Sequence, residues 1–191
     1  MRVGYGARRL AGTLLAACAL IAGTAYAEGF EGLKRGDLAP ERLGRTLDGE
    51  DLNLARHRGQ IVVVTFWATW CPYCLKELPQ LESLQGVARE RLRVIAVNTE
   101  DKKVFRRVAG LMKDFKLQLV SDADKSAQKA YGVNALPHLF IIDRDGRIAA
   151  MHRGYGEDSL DRILEEINAQ LAKPVQPSGE GGAGTSGPSA P

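Results

Sequence analysis

Cysteine is scarce in this chain of 191 residues: three in all, at positions 18, 71 and 74. Histidine is as rare, and His57, His138 and His152 stand far apart from one another. A structural zinc site needs about four Cys or His ligands at close spacing, so that class finds no support. With no second cysteine pair, a disulfide-braced scaffold is also unsupported, and a bridge across two residues closes too short a loop to remove much unfolded-state entropy. The longest apolar or small-residue stretch, 10–23, falls short of the roughly 20 residues that span a bilayer. Internal repeats are absent.

What is present centres on Trp67-Ala68-Thr69-Trp70-Cys71-Pro72-Tyr73-Cys74, directly after the apolar run 61–66. Two thiols flanking two residues, where a β-rich run gives way to a helix-compatible one, are the ingredients of a redox-active dithiol. A helix starting at or just after Cys71 points unpaired N–H groups and the positive end of its dipole at that sulfur. This favours thiolate over thiol, and lowering a pKa from ~8.5 towards ~7 raises the nucleophilic fraction many-fold. Cys71 is therefore the expected attacking sulfur and Cys74 the resolving one.

The ends differ from the middle. Positions 1–9 carry Arg2, Arg8 and Arg9 and no acid, 10–23 is apolar or small, and Thr24-Ala25-Tyr26-Ala27 offers small residues where a signal peptidase reads. The expectation is a signal peptide over 1–27, cleaved after Ala27. Leu15-Ala16-Ala17-Cys18 offers the alternative of a lipoprotein anchored at Cys18, although apolar residues continue beyond it. Residues 28–36 form a polar lead-in, 37–173 the folded domain, and 174–191 a Pro/Gly/Ser/Ala tail expected to be disordered. Loss of 1–27 removes the net charge of +3, which leaves no electrostatic case for nucleic acid or an anionic membrane as partner. A lone Cys pair in an oxidising compartment stays oxidised unless something reduces it, so a redox partner is implied.

Within the domain, 38–58 reads as a β-hairpin: Arg45-Thr46-Leu47, a turn at Asp48-Gly49, then Asp51-Leu52-Asn53-Leu54. The β-branched run 61–66 predicts a central strand buried on both faces. A helix over 75–89 follows, with Leu75, Leu78, Leu81 and Leu84 inward and Pro79 expected to kink it. Strand 92–98 leads to an amphipathic helix over 102–115, with Val104, Phe105, Val108, Leu111 and Met112 inward and its basic residues on a wet face. A strand at 117–120, a helix at 123–131, strands at 139–143 and 148–152 joined by Asp145-Gly146, and a helix over 158–171 complete an α/β sandwich with a mixed sheet.

In this order, Phe66 to Cys74, Glu77-Leu78-Pro79, Leu136-Pro137 before Phe140-Ile141-Ile142-Asp143, and Asp145-Gly146 resemble the thioredoxin superfamily. Within it the likeness is to exported TlpA/ResA/CcmG-like thiol-disulfide oxidoreductases, over about 36–171. The resemblance implies a thioredoxin-like fold, a central mixed β-sheet flanked by helices, with an N-terminal β-hairpin and a central helix-strand insertion. It implies that Pro137 is a cis-proline facing the dithiol, with the Leu136 backbone left to pair with an extended substrate. Trp70, Pro72, Tyr73, Leu136, Pro137 and His138 would then contact substrate, with Trp70 beside the thiols and Trp67 beneath them. Glu77 would tune cysteine acidity and carry the resolving thiol's proton, as a half-buried carboxyl with a raised pKa can. Ordinary thioredoxins keep a buried acid in the strand before the motif, a position held here by Thr65.

Two features depart from these relatives. Pro72-Tyr73 is more familiar from the less reducing glutaredoxins, and His138 stands where a small hydroxyl residue is more usual. His138 would either stabilise a nearby thiolate or be satisfied locally. The implied reaction is reduction of disulfides in exported client proteins, of the cytochrome c maturation or copper-site assembly type. It needs no cofactor beyond the Cys71-Cys74 pair, and electrons would come from a membrane thiol donor of the DsbD/CcdA type to a monomer in the periplasm. An exported oxidase or isomerase, and a copper-binding module using the two sulfurs with His138, are the alternatives. Thiol peroxidase chemistry fits less well, since it needs no Cys-x-x-Cys.

Overall fold

The computed structural model describes residues 32–154, 156 and 158–174. The expected signal peptide, its cleavage after Ala27, the lipid alternative at Cys18 and the tail from 175 onward lie outside the described residues.

Seven strands form one sheet: β1 Arg42–Arg45, β2 Asp51–Asn53, β3 Ile61–Trp67, β4 Leu92–Asn98, β5 Gln118–Ser121, β6 His138–Ile142 and β7 Ile148–Arg153. Among the described residues four α-helices accompany them: α1 Pro72–Ala88, α2 Lys102–Leu111, α3 Ser126–Ala130 and α4 Ser159–Ala172. The strand order is β2-β1-β5-β4-β3-β6-β7. β3, β4 and β5 run parallel, while β6, β7 and the β1-β2 hairpin pair antiparallel, which makes the sheet mixed.

β3 lies between β4 and β6, and all of its residues are buried, as a β-branched strand covered on both faces should be. The pleat sends alternate side chains to opposite sides. Ile61, Val63 and Trp67 join a core with Leu78 and Leu81 of α1 and Ile163 and Ile167 of α4. Val62, Val64 and Phe66 join another, where Phe66, Tyr131 and Phe140 pack with ring centroids 4.9–6.0 Å apart. The buried Tyr131 hydroxyl is satisfied by donating to the Pro40 carbonyl at 2.7 Å.

Several expectations need correction. The first hairpin strand is Arg42–Arg45, so Thr46 and Leu47 belong to the turn. Helix α1 starts at Pro72, three residues before the expected Leu75, and runs through Pro79 to Ala88. Its buried stripe is Cys74, Glu77, Leu78, Leu81 and Gln85, which leaves Leu75 about 100° off the stripe and exposed, with Leu84 at its margin. Helix α2 stops at Leu111, which is exposed; Phe105 and Ala109 are its buried residues.

The hairpin joins the sheet where β1 meets β5, at Gly44. Its φ is +122°, and a Cβ there would lie 2.3 Å from the Ser121 carbonyl oxygen. Gly44→Ala is therefore expected to destabilise by more than the about 1–2 kcal/mol of a left-handed backbone alone, because a main-chain clash is added. Denaturant unfolding checks this; an alanine variant as stable as the parent would contradict the packing described.

Candidate active site

The parallel strands β3 and β4 end side by side, and the end of β4 holds the loop that leads out of β3. Thr99 donates to the Trp67 carbonyl from its backbone N–H at 3.0 Å and from its hydroxyl at 3.2 Å. Beyond Trp67 the chain turns into α1, with Cys71 as N-cap and Pro72 at the first helical position, where a missing N–H costs nothing. Sγ of Cys71 accepts the Cys74 backbone N–H at 3.1 Å, so one of the helix's unpaired donors points at this sulfur.

Cys71 and Cys74 form a disulfide with Cα atoms 5.3 Å apart. Their residues are 3% and 1% exposed. Trp67 lies in the same apolar cluster, as expected. Trp70 is 69% exposed, and Tyr73 is also exposed with Lys76 Nζ 5.7 Å from its ring centroid.

Glu77 is only 1% exposed, more deeply buried than the half-buried carboxyl expected. It lies three residues after Cys74 on the inner stripe of α1, which on a helix puts the two side chains next to each other. Thr65, on the same face of β3 as Ile61, Val63 and Trp67, donates its hydroxyl to Glu77 Oε1 at 2.7 Å. Burial pushes the Glu77 pKa up to about 7, against a smaller lowering by the Thr65 hydrogen bond. The strand supplies a hydroxyl where an acid was conceivable, and the helix supplies the acid.

Sequence reasoning missed Glu100. Its carboxylate accepts the Thr69 N–H at 2.6 Å, the Thr69 hydroxyl at 2.9 Å and the Asn98 side-chain amide at 3.2 Å. This clasps the loop just before Cys71 to the end of β4. No local signal marked it, because Thr69 and Glu100 are 31 residues apart.

The Leu136-Pro137 peptide is cis, and Pro137 is buried. Leu136 packs against the cluster that holds both sulfurs. Among the described residues no backbone hydrogen bond engages Leu136, whereas the Pro137 carbonyl accepts from Gly154 at 2.8 Å. Trp70, Thr99, Glu100, Lys125, Asn134 and Leu136 line a groove of about 420 Å3; neither cysteine lines it, and it nears the dithiol through Trp70, next in sequence to Cys71, and Leu136.

His138 does not join them. It is 4% exposed, pairs with Phe66 across β6 and β3, and lies 4.5 Å from the Phe140 ring centroid. Phe66 and Phe140 belong to the core on the sheet face away from the sulfurs. Burial, with a smaller contribution from Arg153, pushes its pKa down to about 4, so the ring is neutral at neutral pH. Neither a charge-stabilised thiolate nor a copper ligand set with the cysteines follows from that position.

A disulfide-bonded Cys-x-x-Cys pair at a helix N-terminus, with a buried acid one helical step away, is the site of a thiol-disulfide oxidoreductase. Residues 35–151 match the AhpC/TSA family. The thioredoxin-like protein YneN of Bacillus subtilis (strain 168) is 34% identical over 131 residues, 68% of this chain and 77% of YneN. The thiol-disulfide oxidoreductase ResA of Bacillus thuringiensis subsp. konkukian (strain 97-27) is 30% identical over 161 residues, 81% of this chain and 92% of ResA. A Chlorobium tepidum structure assigned as the thiol:disulfide interchange protein DsbE superposes with a TM-score of 0.67 at 26% identity, covering 73% of this chain and 99% of that one. The chain belongs to the AhpC/TSA family and is a TlpA/ResA/CcmG-like member of the thioredoxin superfamily.

Two outcomes follow from this geometry. The folded state retains a proton on Glu77 that the unfolded chain releases from pH 4.5 upward, so its contribution is full below pH 4.5 and is lost as pH rises through about 7. The loss by pH 8 is on the order of 3 kcal/mol, and Glu77→Gln should abolish that slope in unfolding of the oxidised protein at pH 5 and 8; an unchanged slope would rule out Glu77 as its source. Glu100→Ala should release the Thr69 loop, raise the Cys71 thiol pKa and lower disulfide reduction several-fold, while Glu100→Gln keeps an acceptor and most of the rate. Thiol titration and rates equal to the parent's in the alanine variant would show that the clasp does not position Cys71.

Proposed function

We propose that this enzyme works as an exported reductant of disulfides in client proteins. The Cys71 thiolate attacks one sulfur of a client disulfide; the client's other sulfur leaves as thiolate, and a mixed disulfide forms. Glu77 takes the proton of Cys74, whose thiolate then attacks Cys71 Sγ and releases the client with both sulfurs reduced. The enzyme is left with the Cys71–Cys74 disulfide, which two electrons from a membrane thiol donor of the DsbD/CcdA type return to the dithiol. The sulfurs suffice as redox centre. Trp70, Pro72, Tyr73 and the Leu136-Pro137 backbone receive an extended client segment.

The observation that carries this reading is the buried Glu77 carboxyl, with its pKa near 7, one helical step from Cys74. A group poised near neutrality can both accept and return a proton during exchange. The neutral His138 supports the reductive direction, since it adds no positive charge that would favour the thiolate and make the pair strongly oxidising. The N-terminal 27 residues support export to the periplasm, with cleavage after Ala27 or lipidation at Cys18. No described helix is long and apolar enough to cross a membrane. Clients of the cytochrome c maturation or copper-site assembly type fit this chemistry.

A Cys74→Ser variant in the exported compartment should trap clients as mixed disulfides through Cys71; a Cys71→Ser variant should trap few. Equilibration with glutathione fixes the direction. A potential below about −200 mV agrees with a reductant, and one near about −120 mV would make the enzyme an oxidase.

A further inference from the structure

The basic residues of α2, a solvated helix face in the sequence, do not face solvent alone. Lys102 and Arg106, one turn apart, line a recess of about 340 Å3 whose opposite wall is Arg42 and Arg45 of β1. Arg42 pairs with Asp124 at 3.0 Å and Asp51 at 3.6 Å, and Arg45 pairs with Asp51 at 3.4 Å. Lys102 and Arg106 have no ion pair among the described residues. Asp101, their acidic neighbour, accepts the Lys103 and Val104 backbone N–H groups as the helix cap. Asp124 lines the recess but is engaged by Arg42, so four cations meet one acid there.

A second observation comes from the floor. Ser121, at the end of β5, lines the same recess and is 7% exposed, yet its buried hydroxyl has no hydrogen-bond partner among the described residues. Buried hydroxyls are normally paired, and one left unpaired beside cations that have no ion pair is a donor awaiting an acceptor. The buried Phe105 adds an apolar wall. The volume is within the range of small-molecule sites.

We propose that this recess binds a small organic oxyanion, a carboxylate or a phosphate, held by Lys102 and Arg106 with the Ser121 hydroxyl as third donor. Side-chain rotation at Ser121 brings its O–H to the anion, and two charge-assisted hydrogen bonds from α2 supply most of the affinity. The site is separate from the dithiol groove: Asp101 and Val104 of α2 line that groove, whereas Lys102, Phe105 and Arg106 line the recess.

Calorimetric titration of the mature chain with inorganic phosphate and with succinate, at constant ionic strength set by chloride, tests this. Saturable one-to-one binding of at least one of them is expected. It should weaken at least about tenfold in Lys102→Gln/Arg106→Gln and measurably in Ser121→Ala, while disulfide reduction without added anion is unchanged. Succinate alone binding identifies the carboxylate, and phosphate alone the phosphate. Binding by neither, equal binding in parent and double variant, or binding only of an acidic peptide would overturn the proposal. Both α2 residues are on the exposed surface, and Lys102→Glu serves as a charge-reversed control that should abolish binding with the fold intact.

Discussion

The chemistry of this enzyme depends on the double burial of β3. A strand covered on both faces has no freedom of register: a slip by one residue would exchange Ile61, Val63, Thr65 and Trp67 with Val62, Val64 and Phe66 and place each set in the wrong core. With the register pinned by β4 on one side and β6 on the other, Thr65 must face α1, and the chain must leave the sheet at Trp67. The sulfurs, the start of α1 and the partner of Glu77 are all located by that one constraint.

Glu77 shows how the fold creates reactivity at a cost. The inner stripe of α1 is otherwise filled by Cys74, Leu78, Leu81 and Gln85, and a carboxyl among them loses water on every side. One hydroxyl from Thr65 compensates only part of that loss, so the acid prefers its proton near neutrality. Gln85, in contrast, is engaged at both ends: it donates to the Lys116 carbonyl at 2.8 Å and accepts the Val94 N–H at 2.6 Å. Gln85 is held at both ends whereas Glu77 has one hydroxyl partner, a contrast that supports the proton-carrying role proposed for Glu77.

The additions to the basic fold act on the site from one side. The hairpin and β5 extend the sheet beyond β4, and the crossover that reaches β5 carries Glu100 and α2 past the loop before Cys71. The same insertion forms one wall of the dithiol groove and one wall of the basic recess. The segment that extends the sheet thus supplies both a clasp on the loop before Cys71 and one wall of a separate polar cavity.

The central strands, the helix after the cysteines, the hairpin turn and the Cys71/Cys74 pair were legible in the sequence, because each is a local pattern: an alternation, a β-branched run, a spacing of two. Glu77 was legible through its three-residue offset from Cys74, which a helix converts into adjacency. Leu75, Leu111 and the limits of α2 were misread because a helix alone does not say which neighbours will cover it. Only tertiary structure decided that Glu100 reaches Thr69, that His138 turns its ring away from the sulfurs, and that Lys102 and Arg106 line one recess with the arginines of β1. Those relations join residues distant in the chain, and their energies arise from burial and from charges brought together, neither of which exists until the sheet has assembled.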